Sequence, residues 1–201
     1  MLTRLKGSVQ SLLTGWAELL HRAGLTPNQV SGLGILLAFA AGCFYWLWQL
    51  DRIFLVVAPL LFLLSGLCDA LDGIIARLHG EATVFGGFLD SVLDRYADAF
   101  ILVAVIIGDL CDALWGSVAL TGSLLVSYTR ARAEAAGKKM ETIGLAERAE
   151  RMIILAVASA VAFFWSDPKL PVNWGIILLA VLTNLTVLQR AAHFYWATRQ
   201  K

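Results

Sequence analysis

The sequence predicts an all-α integral membrane protein, with six transmembrane helices preceded by an N-terminal interfacial amphipathic helix. Three observations carry that reading. Of 201 residues, 59% are hydrophobic and only 15% are charged, and the mean hydropathy is +0.73, far from the range of soluble domains. Six apolar segments follow one another, and a chain of this length holds six spans of roughly 20 residues, with no room for a second soluble domain. Helices are the form those spans must take, because an open sheet cannot satisfy its backbone in lipid. One domain over residues 1–201 results, divided into a juxtamembrane segment at 1–29 and a six-helix bundle at 30–196.

Taken in order, residues 1–29 place apolar side chains at helical spacing but lack an uninterrupted apolar core and a small-residue cleavage site. An interfacial helix fits that pattern and a signal peptide does not. "LTPNQVS" then supplies a proline near a helix start, with Thr26, Asn28 and Ser31 as capping candidates. The spans are expected at 30–50, 53–77, 85–108, 113–132, 152–165 with a start a turn or two earlier, and 172–190. "SDPKLPVN" separates the last two. Cys43, Cys68 and Cys111 show no ligand spacing and are expected as small buried residues. His21, His79 and His193 lie near helix ends, where an interfacial place is expected rather than a ligand role.

Six crossings sort the basic residues unevenly. Arg4, Lys6, Arg22, Arg77, Arg130, Arg132, Lys138, Lys139, Arg148, Arg151, Arg190, Arg199 and Lys201 fall on one side, and only Arg52 and Lys169 on the other. The bias predicts a multi-pass protein of the cell membrane with both termini in the cytoplasm.

Against this apolar background stands "CDALDGIIARLHGEATVFGGFLDSVLD", residues 68–94. Asp69 and Asp72 are three apart, and Asp90 and Asp94 four apart, so each pair stacks on one face of its helix. A short connection makes the two helices an expected antiparallel hairpin whose cytoplasmic ends gather four acids. Ionised carboxylates beside an apolar layer cost several kcal/mol each unless paired, and the basic residues of this stretch are too few to neutralise them. A divalent metal is the natural partner, and all-oxygen ligands select Mg²⁺, Mn²⁺ or Ca²⁺. Gly73 and Ala76 bare the backbone beside the acids, and the forked donors of Arg77 suit phosphate oxygens. Metal, arginine and bared backbone together describe a diphosphate site. Tight helix packing explains the small residues equally well; their register with the aspartates favours the site.

At these residues the chain resembles the CDP-alcohol phosphotransferases, whose signature Asp69-x2-Asp72-Gly73-x2-Ala76-Arg77-x8-Gly86-x3-Asp90-x3-Asp94 it matches without departure. The resemblance implies a six-helix membrane enzyme, a homodimer, that moves a substituted phosphate from a CDP-linked donor to an alcohol and releases CMP. It further implies that Asp69, Asp72, Asp90 and Asp94 hold Mg²⁺ or Mn²⁺, two ions per site, with Asp94 also the general base. Gly73, Ala76, Arg77, Gly86 and Asn28 would then contact the CDP-lipid.

The acceptor is read from other basic residues. Arg130, Arg132, Arg151 and Arg190 come from three helix ends, and converging arginines suit a phosphorylated alcohol better than choline or serine. "SYTRARAE", "ERAER" and "VLQR" resemble the branch of the family that uses inositol phosphate, the phosphatidylinositol phosphate and archaetidylinositol phosphate synthases. The expected donors are CDP-diacylglycerol or CDP-archaeol, and nucleic acid is not an expected partner. Glycerol 3-phosphate is the alternative acceptor. A divalent cation transporter or channel is the alternative of another class, although the acids gather at one membrane face instead of running through its depth.

Overall fold

In a computed structural model, the chain is described over residues 13–140 and 143–199; Arg4, Lys6, Lys201 and the first part of the expected interfacial helix lie outside the described residues. Seven helices occur among the described residues and no strand does. Helix α1 covers residues 13–22. It is followed by α2 (Pro27–Trp46), α3 (Phe54–Leu78), α4 (Val84–Ile107), α5 (Ala113–Ala135), α6 (Arg148–Phe164) and α7 (Lys169–Arg199).

Local chemistry sets the helix starts. Thr26 caps α2 through a capping box, its hydroxyl accepting from the Gln29 N–H while the Gln29 side chain accepts from the Thr26 N–H, with Pro27 in the first turn. Thr83 caps α4 by accepting from the Gly86 N–H at 2.9 Å. Of the three capping candidates at α2, only Thr26 caps. Ser31 reaches elsewhere, and Asn28 is exposed.

The helix limits follow the expected segments with two differences. Helix α6 starts at Arg148, a turn before the apolar run as expected. Helix α2 ends at Trp46, and residues 47–50 form a turn. Helix α7 runs 31 residues, roughly 46 Å at 1.5 Å per residue against a hydrocarbon layer of about 30 Å. Its apolar stretch marks only the part within lipid, so Arg190 does not end the helix. Three helices, α2, α3 and α7, are long and apolar enough to cross a membrane.

The six long helices close into a ring. Neighbours in contact are α2 with α3, α3 with α6, α6 with α7, α7 with α5, α5 with α4, and α4 with α2. The expected hairpin is loose: α3 and α4, joined by residues 79–83, both pack on α2 and are not in close contact along their lengths, yet their acids meet at one end. Lipid supplies no hydrophobic drive between helices, so close approach depends on small residues and internal hydrogen bonds. The buried positions match that demand: Ala38, Ala41 and Gly42 on α2, Gly116, Ala119 and Gly122 on α5, Ala158, Ser159 and Ala162 on α6. The Tyr45 hydroxyl and Ser159 Oγ, 2.9 Å apart and buried, join α2 to α6 across the interior.

Larger side chains fill the middle of the ring, among them Tyr45, Phe62, Ile101, Leu155 and Ile176. A second, smaller cluster seats α1 against α2 and α3, with Ala17 packed on Val30, Leu71 and Ile75. The His21 ring stacks on that of His79 with centroids 3.5 Å apart, fastening the end of α1 to the end of α3. Neither histidine approaches the aspartates closely enough to join their cluster. Of the cysteines, Cys111 is buried as expected, Cys68 half-buried, and Cys43 exposed. An outward position on a helix in lipid meets hydrocarbon, which a thiol tolerates.

Candidate functional site

All four signature aspartates lie at one mouth of the ring. Carboxylate oxygens of Asp69, Asp72 and Asp90 fall within 4.8 Å of one another, which brings the acids of α3 against one from α4 across the gap between those helices. Asp72 is buried. Ser31 Oγ lies 2.5 Å from Asp72 Oδ2 and 3.1 Å from the Pro27 carbonyl, so its one proton serves the nearer carboxylate. Three carboxylates this close repel strongly at low dielectric. An all-oxygen set of this kind fits a hard divalent cation such as Mg²⁺ or Mn²⁺.

Asp94, one turn beyond Asp90, is outside that triad. Its Oδ1 is 2.5 Å from Arg148 Nη1, and the same nitrogen is 2.9 Å from Asp69 Oδ2. Arg148 also places Nε 3.3 Å from Asp98 Oδ1. Asp98 is shared, because Arg151 Nη2 lies 2.6 Å from its other oxygen. The sequence reading therefore undercounted the positive charge at the acids. Their cation comes from the start of α6, 79 residues after Asp69, and the available signal was the spacing of Arg148 and Arg151, three apart on one face like the acids they meet. Asp98 thus has two arginine partners.

Beside the acids opens a cavity of about 600 Å³, whose charged lining mixes Asp69, Asp94, Asp98, Glu147 and Glu150 with Arg95, Arg130, Arg148, Arg151 and Arg190. The arginines expected to meet an acceptor differ in what they have free. Arg130 is half-buried and paired with Glu134 at 2.9 Å. Arg151 is 8% exposed and spends its donors on Asp98 and on the Ala146 carbonyl at 3.1 Å. Arg190 is 2% exposed; Nε donates to the Ile143 carbonyl at 2.7 Å and Nη1 to the Val126 carbonyl at 2.5 Å. Arg132 is exposed and is not among the residues that line the cavity.

The loop that delivers Arg148 is held from α7. Thr186 Oγ1 accepts from the N–H groups of Leu145 and Ala146 at 3.0 and 3.1 Å, beside the Arg190 bond to Ile143. Gly144 sits at φ +142°, and a Cβ there would stand 2.5 Å from Thr186 Cγ2, so the loop lies too close to α7 for any side chain at that position.

On the other side of the acids, Arg77 is exposed and folds back over Gly73, whose missing Cβ would meet its Nη1 at 3.2 Å. Ala76 is half-buried, and Gly86 stands in the capped first turn of α4. A second groove of about 880 Å³ runs between α4 and α5 and shares Asp94, Arg95 and Arg130 with the first. Behind Asp98 and Arg151 the interior closes over apolar Phe62, Ile101, Leu102 and Leu155, leaving only about 20 Å³.

The family model for CDP-alcohol phosphatidyltransferase matches residues 24–189. The archaetidylinositol phosphate synthase of Pyrococcus horikoshii is 37% identical over 190 residues, covering 94% of each chain. Among solved structures, Mycobacterium tuberculosis phosphatidylinositol phosphate synthase with CDP-DAG bound superposes with a TM-score of 0.77 at 30% identity, over 92% of this chain and 94% of that one. The same enzyme in complex with manganese and citrate gives 0.77 at 31% identity, over 92% and 88%.

Proposed function

The chain belongs to the CDP-alcohol phosphatidyltransferase family, and from that premise we propose that it transfers a phosphatidyl or archaetidyl group from a CDP-linked lipid to a hydroxyl of inositol phosphate, releasing CMP. The observation that carries the reading is the juxtaposition of signature acids and arginines around one cavity at the ring mouth. The relatives named above supply the acceptor: both the archaeal and the bacterial enzymes are inositol phosphate lipid synthases.

Asp69, Asp72 and Asp90, with Asp94 beside them, would hold Mg²⁺ or Mn²⁺, which when bound would supply charge neutralisation on the diphosphate and polarisation of its phosphorus. Gly73 and Ala76 let the cytidine diphosphate approach the α3 backbone, Arg77 contributes its forked donors, and Gly86 and Asn28 make further contacts to the CDP-lipid. Asp94 accepts the proton of the acceptor hydroxyl as its oxygen bonds to phosphorus and the bond to the CMP oxygen breaks. Asp94 suits this task because it faces the cavity and lies outside the triad. Arg130 and Arg132 receive the acceptor's phosphate on approach, while Arg151 and Arg190 supply positive potential from fixed positions.

Six helices cross the membrane, α4 being made less apolar by the acids that build the site. The acids open to the cytoplasm, on the side rich in Arg and Lys, and α1 lies in the interface with Trp16 and Leu19 outward. Two copies form the working unit. Labelling of single cysteines placed at Lys138 and Asp167 by an impermeant reagent tests the orientation, since only the second is reached from outside intact cells.

The deciding assay supplies CDP-diacylglycerol or CDP-archaeol, Mg²⁺ or Mn²⁺, and labelled inositol phosphate to the protein in lipid, with glycerol 3-phosphate, inositol and serine in parallel. Metal-dependent CMP release with label entering lipid from inositol phosphate is expected. Label entering from glycerol 3-phosphate instead overturns the acceptor, and no transfer from any alcohol overturns the reaction.

A further inference from the structure

Arg148 has no task in that reaction, yet it is the most heavily engaged cation of the site. One nitrogen, Nη1, touches both Asp69 and Asp94, at 2.9 and 2.5 Å. Another, Nε, touches Asp98 at 3.3 Å. The three partners are not equivalent. Asp98 stands outside the signature, one turn beyond Asp94, and is already fixed by Arg151 at 2.6 Å. Asp69 belongs to the cluster whose oxygens lie within 4.8 Å of one another, and Asp94 follows one turn after Asp90. A guanidinium and a divalent ion drawn to the same carboxylates repel each other at short range and low dielectric. The side chain also lines the cavity of about 600 Å³ where Arg130 and Arg190 stand, so open space adjoins it on the side of those arginines.

We propose that Arg148 is a displaceable counterion. It holds Asp69 and Asp94 in the metal-free protein, yields them when the divalent ion binds, and turns on its Asp98 pivot to offer the freed nitrogen to the acceptor's phosphate. This rests on the phosphotransferase reading and adds an order to it, with metal binding preparing the acceptor pocket. An arginine suits the part because its planar fork keeps one donor on Asp98 while another changes partner; an ammonium, a single point of charge, cannot do both.

The test measures Mn²⁺ binding by its EPR signal, in lipid nanodiscs without CDP-lipid, for wild type, Arg148→Gln and Arg148→Lys. Inositol phosphate affinity is measured for each with and without Mn²⁺. Removing the competitor is expected to tighten Mn²⁺ binding about tenfold in Arg148→Gln, with Arg148→Lys intermediate, and Mn²⁺ is expected to raise inositol phosphate affinity about tenfold in wild type only. A purely structural role for Arg148 would not tighten metal binding on its loss. Mn²⁺ binding to Arg148→Gln that is equal to or weaker than wild type overturns the inference, and if that variant does not fold, the same result in Arg148→Lys does so. Wild type that binds no Mn²⁺ overturns the metal-dependent reaction itself, which is a separate outcome.

Discussion

The Ser31 hydroxyl donates to Asp72 Oδ2 over 2.5 Å, joining α2 to a buried acid of α3. The bond orients a carboxylate that would otherwise turn freely among like charges. Ser31→Ala is expected to weaken Mn²⁺ binding 10- to 100-fold, the usual effect of removing a partner that orients a ligand, and Ser31→Thr to retain most of it. Titration of Mn²⁺ into the purified variants checks this, and unchanged affinity in Ser31→Ala would show that packing alone sets Asp72.

Asp94 and Asp69 are expected to separate binding from turnover. With the ion held by the triad, Asp94→Asn keeps Mn²⁺ affinity within about tenfold but loses 10²- to 10⁴-fold in CMP release, the range of a lost general base. Asp69→Asn loses both. If both variants bind Mn²⁺ equally poorly, Asp94 is a ligand first and its role as base falls.

Arg130 is paired only with Glu134 on its own helix and can turn to a ligand at little cost. Arg130→Gln is therefore expected to raise KM for inositol phosphate about 10- to 100-fold, since a hydrogen bond to a charged group contributes about 1.5–3 kcal/mol. KM for the CDP-lipid should stay near wild type. Equal rises in both constants would mean that Arg130 supports the fold of the mouth and does not meet the acceptor.

Asp98 shows the opposite balance, with two arginines and little exposure. Asp98→Ala leaves Arg151 buried without its anion, a change that costs about 3–5 kcal/mol. Thermal unfolding in detergent should show a lower midpoint for Asp98→Ala than for Asp94→Asn, whose removed charge had more water around it. A midpoint unchanged from wild type would place the pair among exposed bridges of small effect.

Residue spacing made part of this site legible. Asp69 with Asp72, and Asp90 with Asp94, share helix faces, and a face is a local property that spacing reveals. Arg148 lies on a different helix, and its meeting with Asp69 depends on α6 packing beside α3, an order of neighbours that no local pattern encodes. Arg190 misled for a similar reason: a charge after an apolar run reads as the end of a span, whereas here carbonyls of Ile143 and Val126 accept its donors and the helix continues nine residues to Arg199. Hydropathy likewise marks α2, α3 and α7 clearly and understates α4, where Asp90, Asp94, Arg95 and Asp98 interrupt the apolar run.

Ring order also governs how the molecule is made. Helices α2 with α3, α4 with α5, and α6 with α7 are neighbours both along the chain and in space, so a ribosome feeding the membrane delivers three ready pairs. The first two bring the acids, and the third brings Arg148, Arg151 and Arg190. Until that last pair arrives, Asp69, Asp94 and Asp98 lack these partners, and the half-built protein carries an anionic seam between α3 and α4. Assembly quality control that recognises exposed charge within the bilayer would see the nascent chain as unfinished until α6 seats, and every Arg148 or Arg151 variant would prolong that state.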